Sequence, residues 1–264
     1  MARGEMETGV KVALCQTEII WEDKQKNILN AEEMIVEAAR NGAEIIFFPE
    51  MSFTGFSMDI VKTREFDMET VKRIAELALK YDVYIGFGWV KASDNKAENH
   101  YTVVDRSGNV ALDYIKIHSF QYGGEGEQFI PGNQIYNLMI NGFRFTPLIC
   151  YDLRFPEVFR MKMEETDVYI VPANWPASRS EHWNTLLKAR AIENQSYVLG
   201  INCVGEIGGL SYQGDTCAID PNGNVLGHIS EKEEILYVEI EKENLGIRET
   251  FPVRRDRRTE IYRV

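Results

Sequence analysis

A carboxylate, an amine and a thiol each stand where an apolar stretch of this sequence stops. Glu50 follows Ile45-Ile46-Phe47-Phe48-Pro49, a run that must be buried. A carboxylate at the end of such a strand is partly desolvated and suited to general-base work. Lys116 lies in Asp113-Tyr114-Ile115-Lys116-Ile117-His118, where Tyr114, Lys116 and His118 share one strand face. A fixed ammonium there can stabilise a developing oxyanion; His118 reads as a structural hydrogen-bonding group. Cys150 follows Thr146-Pro147-Leu148-Ile149 and precedes Tyr151-Asp152-Leu153-Arg154-Phe155-Pro156-Glu157. A turn between strand and helix exposes its side chain, and free backbone N–H groups at such a turn lower a thiol pKa. This is the logic of a nucleophile elbow with sulfur in place of oxygen.

A fourth stretch, Val171-Pro172-Ala173-Asn174-Trp175-Pro176, continues through Arg179, Trp183 and Ala189-Arg190-Ala191-Ile192-Glu193-Asn194. Its Trp and Pro residues make a rigid apolar wall at a strand end, and Asn174 offers amide donors. Cys15, Cys203 and Cys217 sit inside strand patterns and read as packed core thiols. Gly86-Phe87-Gly88 lies inside a strand and opens no helix, so it is not a dinucleotide loop. No HExxH, Walker or Cys/His cluster occurs, and neither a metal nor an organic cofactor is expected. The glycine-rich stretches 123–126 and 205–214 read as flexible loops. Arg254-Arg255-Asp256-Arg257-Arg258 reads as a solvated or interface-forming tail.

The elements that must position these groups alternate between strand and helix patterns. Strands are expected at 10–16, 45–48, 83–90, 100–105, 110–115, 135–140, 143–149, 168–171, 197–203, 216–219, 224–228 and 234–240. Helices are expected over 26–40, 68–81, 156–164 and 181–194. Asn141-Gly142 is the strongest of three hairpin turns, the others being 106–109 and 220–223. So many strands exceed one comfortable open sheet, which points to a layered α/β sandwich whose sheet-on-sheet core is covered by helices. No linker or repeat divides the chain, so residues 10–264 read as one domain after a short disordered extension, residues 1–9.

Composition narrows the function. With 29 Lys and Arg against 41 Asp and Glu, the chain carries a formal charge of −12. It offers no basic footprint for a nucleic acid and repels anionic lipid. No apolar run is long enough to span a membrane. Four scattered cysteines with no CxxC spacing fit a reduced, cytoplasmic setting.

Taken in order, Glu50, Lys116 and Cys150 resemble the catalytic triad of the nitrilase superfamily, the carbon–nitrogen hydrolases. The resemblance rests on Phe48-Pro49-Glu50, Tyr114-x-Lys116-x-His118 and Ile149-Cys150-Tyr151-Asp152-x-Arg154-Phe155-Pro156-Glu157. It runs from Val12-Ala13-Leu14-Cys15-Gln16 to Phe251-Pro252-Val253-Arg254. It implies a four-layer αββα sandwich and a homodimer formed through a helical face. It also implies a second glutamate, four residues before a Phe and six before a Pro-Gly. Glu125 and Glu127 are the candidates, and Glu125 meets Phe129 and Pro131-Gly132 at those spacings. Ser119 stands where relatives often carry an apolar residue. The segment from Ala173 to Gln195 looks like the Nit2-like ω-amidase branch, which hydrolyses the small-molecule amides 2-oxoglutaramate and 2-oxosuccinamate.

The roles implied are Cys150 as nucleophile, Glu50 as proton acceptor, Lys116 and the Tyr151 N–H as oxyanion donors, and Glu125 as the group that orients the amide and tunes Glu50. Asn174 and Trp175 are expected to line the pocket. Substrates of that branch carry a carboxylate, which a chain at −12 repels at long range, so a local cation is needed. Arg154 and Arg179 are the candidates, although Arg154 could instead pair with Glu157. The rival expectations are the same machinery aimed at a deaminated-glutathione amide, an N-carbamoyl amine or a nitrile, and a non-catalytic scaffold.

Overall fold

The computed structural model describes residues 9–262. The expected extension 1–9 lies outside the described residues except for Gly9, which opens the first strand. Side-chain alternation sets the layers. In β1 (Gly9–Gln16), Val12 and Leu14 face one apolar cluster while Ala13 and Cys15 face another. The same division splits β2 (Ile45–Phe47) into Ile45 and Phe47 against Ile46.

The first six-stranded sheet combines β1 and β2 with β3 (Tyr84–Ser93), β4 (Lys96–Val104), β5 (Val110–Ile115) and β14 (Glu234–Glu241), in the order β14-β1-β2-β3-β4-β5. The second holds β6 (Leu138–Ile140), β7 (Phe143–Pro147), β8 (Val168–Ala173), β9 (Tyr197–Asn202), β12 (Thr216–Ile219) and β13 (Val225–Ile229), in the order β13-β12-β9-β8-β7-β6. Three central strands are parallel in each sheet and the flanking ones antiparallel. The sheets pack face to face, with Phe47 and Phe145 ring centroids 6.0 Å apart.

Helices cover both outer faces. α1 (Lys24–Arg40) and α3 (Glu69–Tyr81) bury Ala31, Ile35, Val71 and Ile74 against the first sheet, after a short α2 (Ile60–Thr63) that periodicity does not reveal. Beyond the short α4 (Glu125–Gln128) come α5 (Pro156–Lys162) and α6 (Ser180–Asn194). They lie on the second sheet, with Phe159 against Tyr169, and Trp183 and Leu187 seated on Gly200. The architecture is the αββα sandwich that the resemblance implied. Asn141 and Gly142 both adopt positive φ, as a two-residue hairpin turn demands.

Three expectations need correction. Residues 205–214 are not a loop: β10 (Val204–Ile207) and β11 (Leu210–Gln213) pair as a separate two-stranded ribbon around Gly208-Gly209. Their exposed polar alternation is too short to announce itself as strand. The stretch 123–126 is likewise structured, passing from a 3₁₀ turn at Gln121–Gly123 into α4. Arg254 is buried rather than solvated. It follows α7 (Ile247–Thr250) and donates to the carbonyls of Asn194 and Thr166, which have no strand or helix partner of their own.

Candidate active site

Glu50 sits just past the end of β2, fully enclosed at 0% exposure. Gly88 of β3 makes this course available, because a Cβ there would overlap the backbone nitrogen of Met51. The Ser52 N–H donates to the Gly88 carbonyl at 3.0 Å and the Gly88 N–H to Ser52 Oγ at 2.9 Å, clamping the turn to the sheet. Glu50 Oε1 accepts from Lys116 Nζ at 2.8 Å, and Oε2 accepts from the Asn174 N–H at 3.0 Å.

Lys116 follows β5 directly and is 2% exposed. Its Nζ also donates to Glu125 Oε2 at 2.9 Å. Burial works against the ammonium, but Glu125 and then Glu50 outweigh it and hold the amine well above its ordinary range. Glu125 opens α4 at 1% exposure, its Oε2 fixed by the Phe120 N–H at 2.6 Å. Glu127 faces solvent. Of the two candidate acids, Glu125 is thus the one the fold brings to Lys116.

Cys150 opens a 3₁₀ turn, Cys150–Arg154, three residues after β7, and takes a positive φ of 45°. That left-handed conformation in a non-glycine residue is strained and is held from outside. Asp152 provides the hold: its carboxylate accepts from the Ile149 N–H at 2.8 Å, Tyr114 OH at 2.7 Å and His118 N–H at 3.0 Å. The His118 ring also donates to it at 2.8 Å and stacks on Phe155, the structural role expected. The thiol differs from expectation. Burial and the neighbouring Glu50 carboxylate push it well above its ordinary pKa, and Lys116 only partly offsets them. Desolvation beside an acid outweighs the free N–H groups of one short turn.

Cys150 and Lys116 open onto a cavity of about 410 Å³ that Tyr151, Arg154, Trp175 and Arg179 also line. Among the described residues no acidic side chain lines it. Arg154 lies 4.6 Å over the Trp175 ring and reaches His182 Nδ1 at 3.5 Å; it does not pair with Glu157. Arg179 lies 5.7 Å from the Phe120 ring centre. Among the described residues neither guanidinium has a carboxylate partner. Burial and the nearby Arg179 depress Arg154, the mark of a cation site short of negative charge. Tyr151 is the second residue of its turn, where the N–H has no acceptor within the helix.

Asn174 lines the cavity, but its amide is engaged elsewhere. Nδ2 donates to the Glu50 carbonyl at 2.5 Å and Oδ1 accepts from the Cys203 thiol at 3.3 Å. It braces Glu50 instead of offering donors to a ligand. Trp175 is anchored by Asn202 Oδ1, which accepts its N–H at 2.7 Å. Sequence reasoning missed Asn99, whose Nδ2 donates to Glu50 at 2.9 Å and to Glu125 at 3.0 Å. It also missed Asp152 as a brace, and Leu210 and Tyr212, which reach the cavity from β11. Asn99 gives no local signal, because it stands between Glu98 and His100 in the polar half of β4.

The pattern of the carbon-nitrogen hydrolase family matches residues 11–246. The chain is 34% identical to the omega-amidase YafV of Yersinia enterocolitica, over 94% of this chain and 96% of that protein. It is 31% identical to the 2-oxoglutaramate amidase of Bacillus subtilis (strain 168), over 95% of this chain and 98% of that protein. Among solved structures, a CN-hydrolase superfamily protein from Xanthomonas campestris with an arsenic adduct in its active site superposes with a TM-score of 0.90 at 30% identity, covering 94% of this chain and 97% of that one. With that pattern spanning most of its length and such relatives covered nearly end to end, the chain belongs to the carbon-nitrogen hydrolase family.

Proposed function

We propose that the protein is an ω-amidase, releasing ammonia from the terminal amide of a short 2-oxo dicarboxylic acid monoamide such as 2-oxoglutaramate or 2-oxosuccinamate. The observation that carries this reading is the convergence of Arg154 and Arg179 on the cavity of Cys150, with no acid in its lining among the described residues. Such a cavity suits an anionic amide, and relatives bearing the names omega-amidase and 2-oxoglutaramate amidase support the choice.

In this scheme Cys150 rests as a neutral thiol, since burial disfavours the thiolate. Glu50 takes the thiol proton as sulfur attacks the amide carbon. The tetrahedral oxyanion is received by the Lys116 ammonium and the Tyr151 N–H. Glu50 returns its proton to the amide nitrogen, the C–N bond breaks and ammonia leaves a thioester on Cys150. Water then gives a proton to Glu50 and its hydroxide adds to the thioester carbon. Collapse breaks the C–S bond, releases the carboxylic acid, and leaves a thiolate that Glu50 reprotonates. Glu125 holds Lys116 from the far side and orients the amide. Arg154 and Arg179 bind the distant carboxylate, with Trp175 as the wall beneath Arg154.

The enzyme is further proposed to act as a cytoplasmic homodimer. Met161, Ile192 and Phe251 are large, apolar and exposed, which suits a covered helical face. All four cysteines are free and buried, which suits a reducing compartment.

Steady-state kinetics on 2-oxoglutaramate, 2-oxosuccinamate and glutamine test the function. Glutamine places an ammonium beside two guanidiniums, so kcat/KM for the oxo acids is expected to exceed it by about 100-fold or more. Equal or better turnover of glutamine would sink the ω-amidase assignment while leaving the amidase chemistry intact.

A further inference from the structure

The buried charges around Glu50 do not balance by themselves. Glu50 and Glu125 supply two carboxylates, and Lys116 supplies one ammonium between them. The other donor shared by both acids is neutral: the Asn99 amide nitrogen, 2.9 Å from Glu50 Oε1 and 3.0 Å from Glu125 Oε1. Asn99 is buried in β4, and its Oδ1 has no hydrogen-bond partner among the described residues. The two acids alone therefore orient this amide, donor end first. Its backbone carbonyl accepts the Lys116 N–H at 2.9 Å, so the same residue also fixes where the amine emerges.

We propose that Asn99 is a positioning residue for amide hydrolysis, its single amide nitrogen keeping Glu50 and Glu125 both ionised and Glu50 aimed at the Cys150 thiol. The proposal rests on the reading of Glu50 as proton acceptor. Two carboxylates sharing a dry site otherwise relieve their repulsion by taking up a proton, and a protonated acid accepts nothing from the thiol. A neutral amide relieves it without adding charge. The groups facing this amide are Glu50 beyond β2, Lys116 beyond β5 and Glu125 of α4, with Cys150 beside Glu50. On β4 itself Glu98 and His100 point to the opposite face, where they pair with each other and His100 pairs with Asp113.

The test compares the wild-type enzyme with Asn99→Leu, similar in size but without a donor. kcat and KM are measured from about pH 5 to about pH 9, along with the rate of Cys150 alkylation by iodoacetamide. The expected result at neutral pH is a kcat lower by about 10- to 100-fold with KM within about twofold. The acid limb should move up by about one pH unit, so that the deficit shrinks on the alkaline side. Asn99→Ser, smaller and still polar, should shift the limb in the same direction and replaces the leucine variant if that fails to fold. An acid limb at its wild-type position, with activity lost equally at every pH, overturns the proposal. The low-pH step of alkylation should move likewise and needs no substrate. If none of the amides is turned over, the functional assignment fails, and alkylation still decides the role of Asn99.

Discussion

Asn174 grips Glu50 at both ends: its backbone N–H donates to the carboxylate at 3.0 Å and its side-chain amide donates to the Glu50 carbonyl at 2.5 Å. The second sheet thus fixes an acid carried by the first, across the seam where the sheets meet. Asn174→Ala keeps the backbone bond and loses the side-chain one. We expect kcat to fall about 10-fold with KM nearly unchanged, measured on the preferred amide. A large rise in KM at constant kcat would instead make Asn174 a substrate ligand.

Arg154 and Arg179 stand without carboxylate partners among the described residues, so their charge is available to a ligand. Arg179→Met is expected to raise KM for 2-oxoglutaramate about 10-fold or more while leaving a neutral amide within about twofold. Equal effects on both substrates would point to lost packing of Arg179 against Phe120.

Lys116 is, among the described residues, the only counter-charge between two enclosed carboxylates. Lys116→Met should abolish turnover, and should also destabilise the fold by about 3–5 kcal/mol, because two acids are left facing one another. Denaturant unfolding reads the second effect. Lys116→Arg should not restore activity, since a planar guanidinium does not fit the point at which Nζ meets both acids. A stable, active Lys116→Met variant would contradict both roles.

Cys150 retains slight access at 9% exposure, while Cys15 and Cys203 are wholly enclosed. Iodoacetamide at about pH 7 should label Cys150 first, and faster as the pH rises, because burial and Glu50 hold the thiol up. Mass spectrometry of the labelled chain gives the order. Uniformly slow labelling of all four thiols would favour a silent scaffold. Cys150→Ala should release no ammonia.

Asp167 offers a test of stability. Burial opposes its charge, but Arg144 and then Arg248 outweigh that and hold the carboxyl well below its usual range. A depressed folded pKa stabilises the protein above the ordinary carboxylate value, and this contribution fades as the pH falls below about 4. The Tm gap between wild type and Asp167→Asn should therefore be wide near neutrality and close on acidification. A gap that stays constant down to about pH 3 would refute the linkage.

How much of this was legible in the sequence depended on what each residue's neighbours reveal. Glu50, Lys116 and Cys150 each follow an apolar run, and a strand's end is where a rigid scaffold delivers a side chain. Glu125 was separable from Glu127 by its spacing to Phe129, which packs against Met51 in the same small cluster. Asn99 was hidden, because nothing local tells that the face of β4 it occupies meets two acids. The thiol of Cys150 was misjudged because desolvation depends on what packs above it, a property of the assembled sheets and not of the turn. Arg254 was misjudged for the same reason: the carbonyls that draw it inward, at Asn194 and Thr166, are 60 and 88 residues away. The ribbon at 204–213 escaped because only Ile207 and Tyr212 supply its buried anchors, beside Val204.

That ribbon pairs with neither large sheet, yet it hands Leu210 and Tyr212 to the rim of the cavity. An exposed residue of the ribbon such as Leu210 is thus free to vary without breaking a rung of the sandwich or displacing a reacting atom, whereas the turn is held by Gly208, where a Cβ would overlap the Trp21 ring. Exchanging the side chains this ribbon presents therefore reshapes the mouth of the cavity while Glu50, Lys116 and Cys150 stay where the two large sheets hold them.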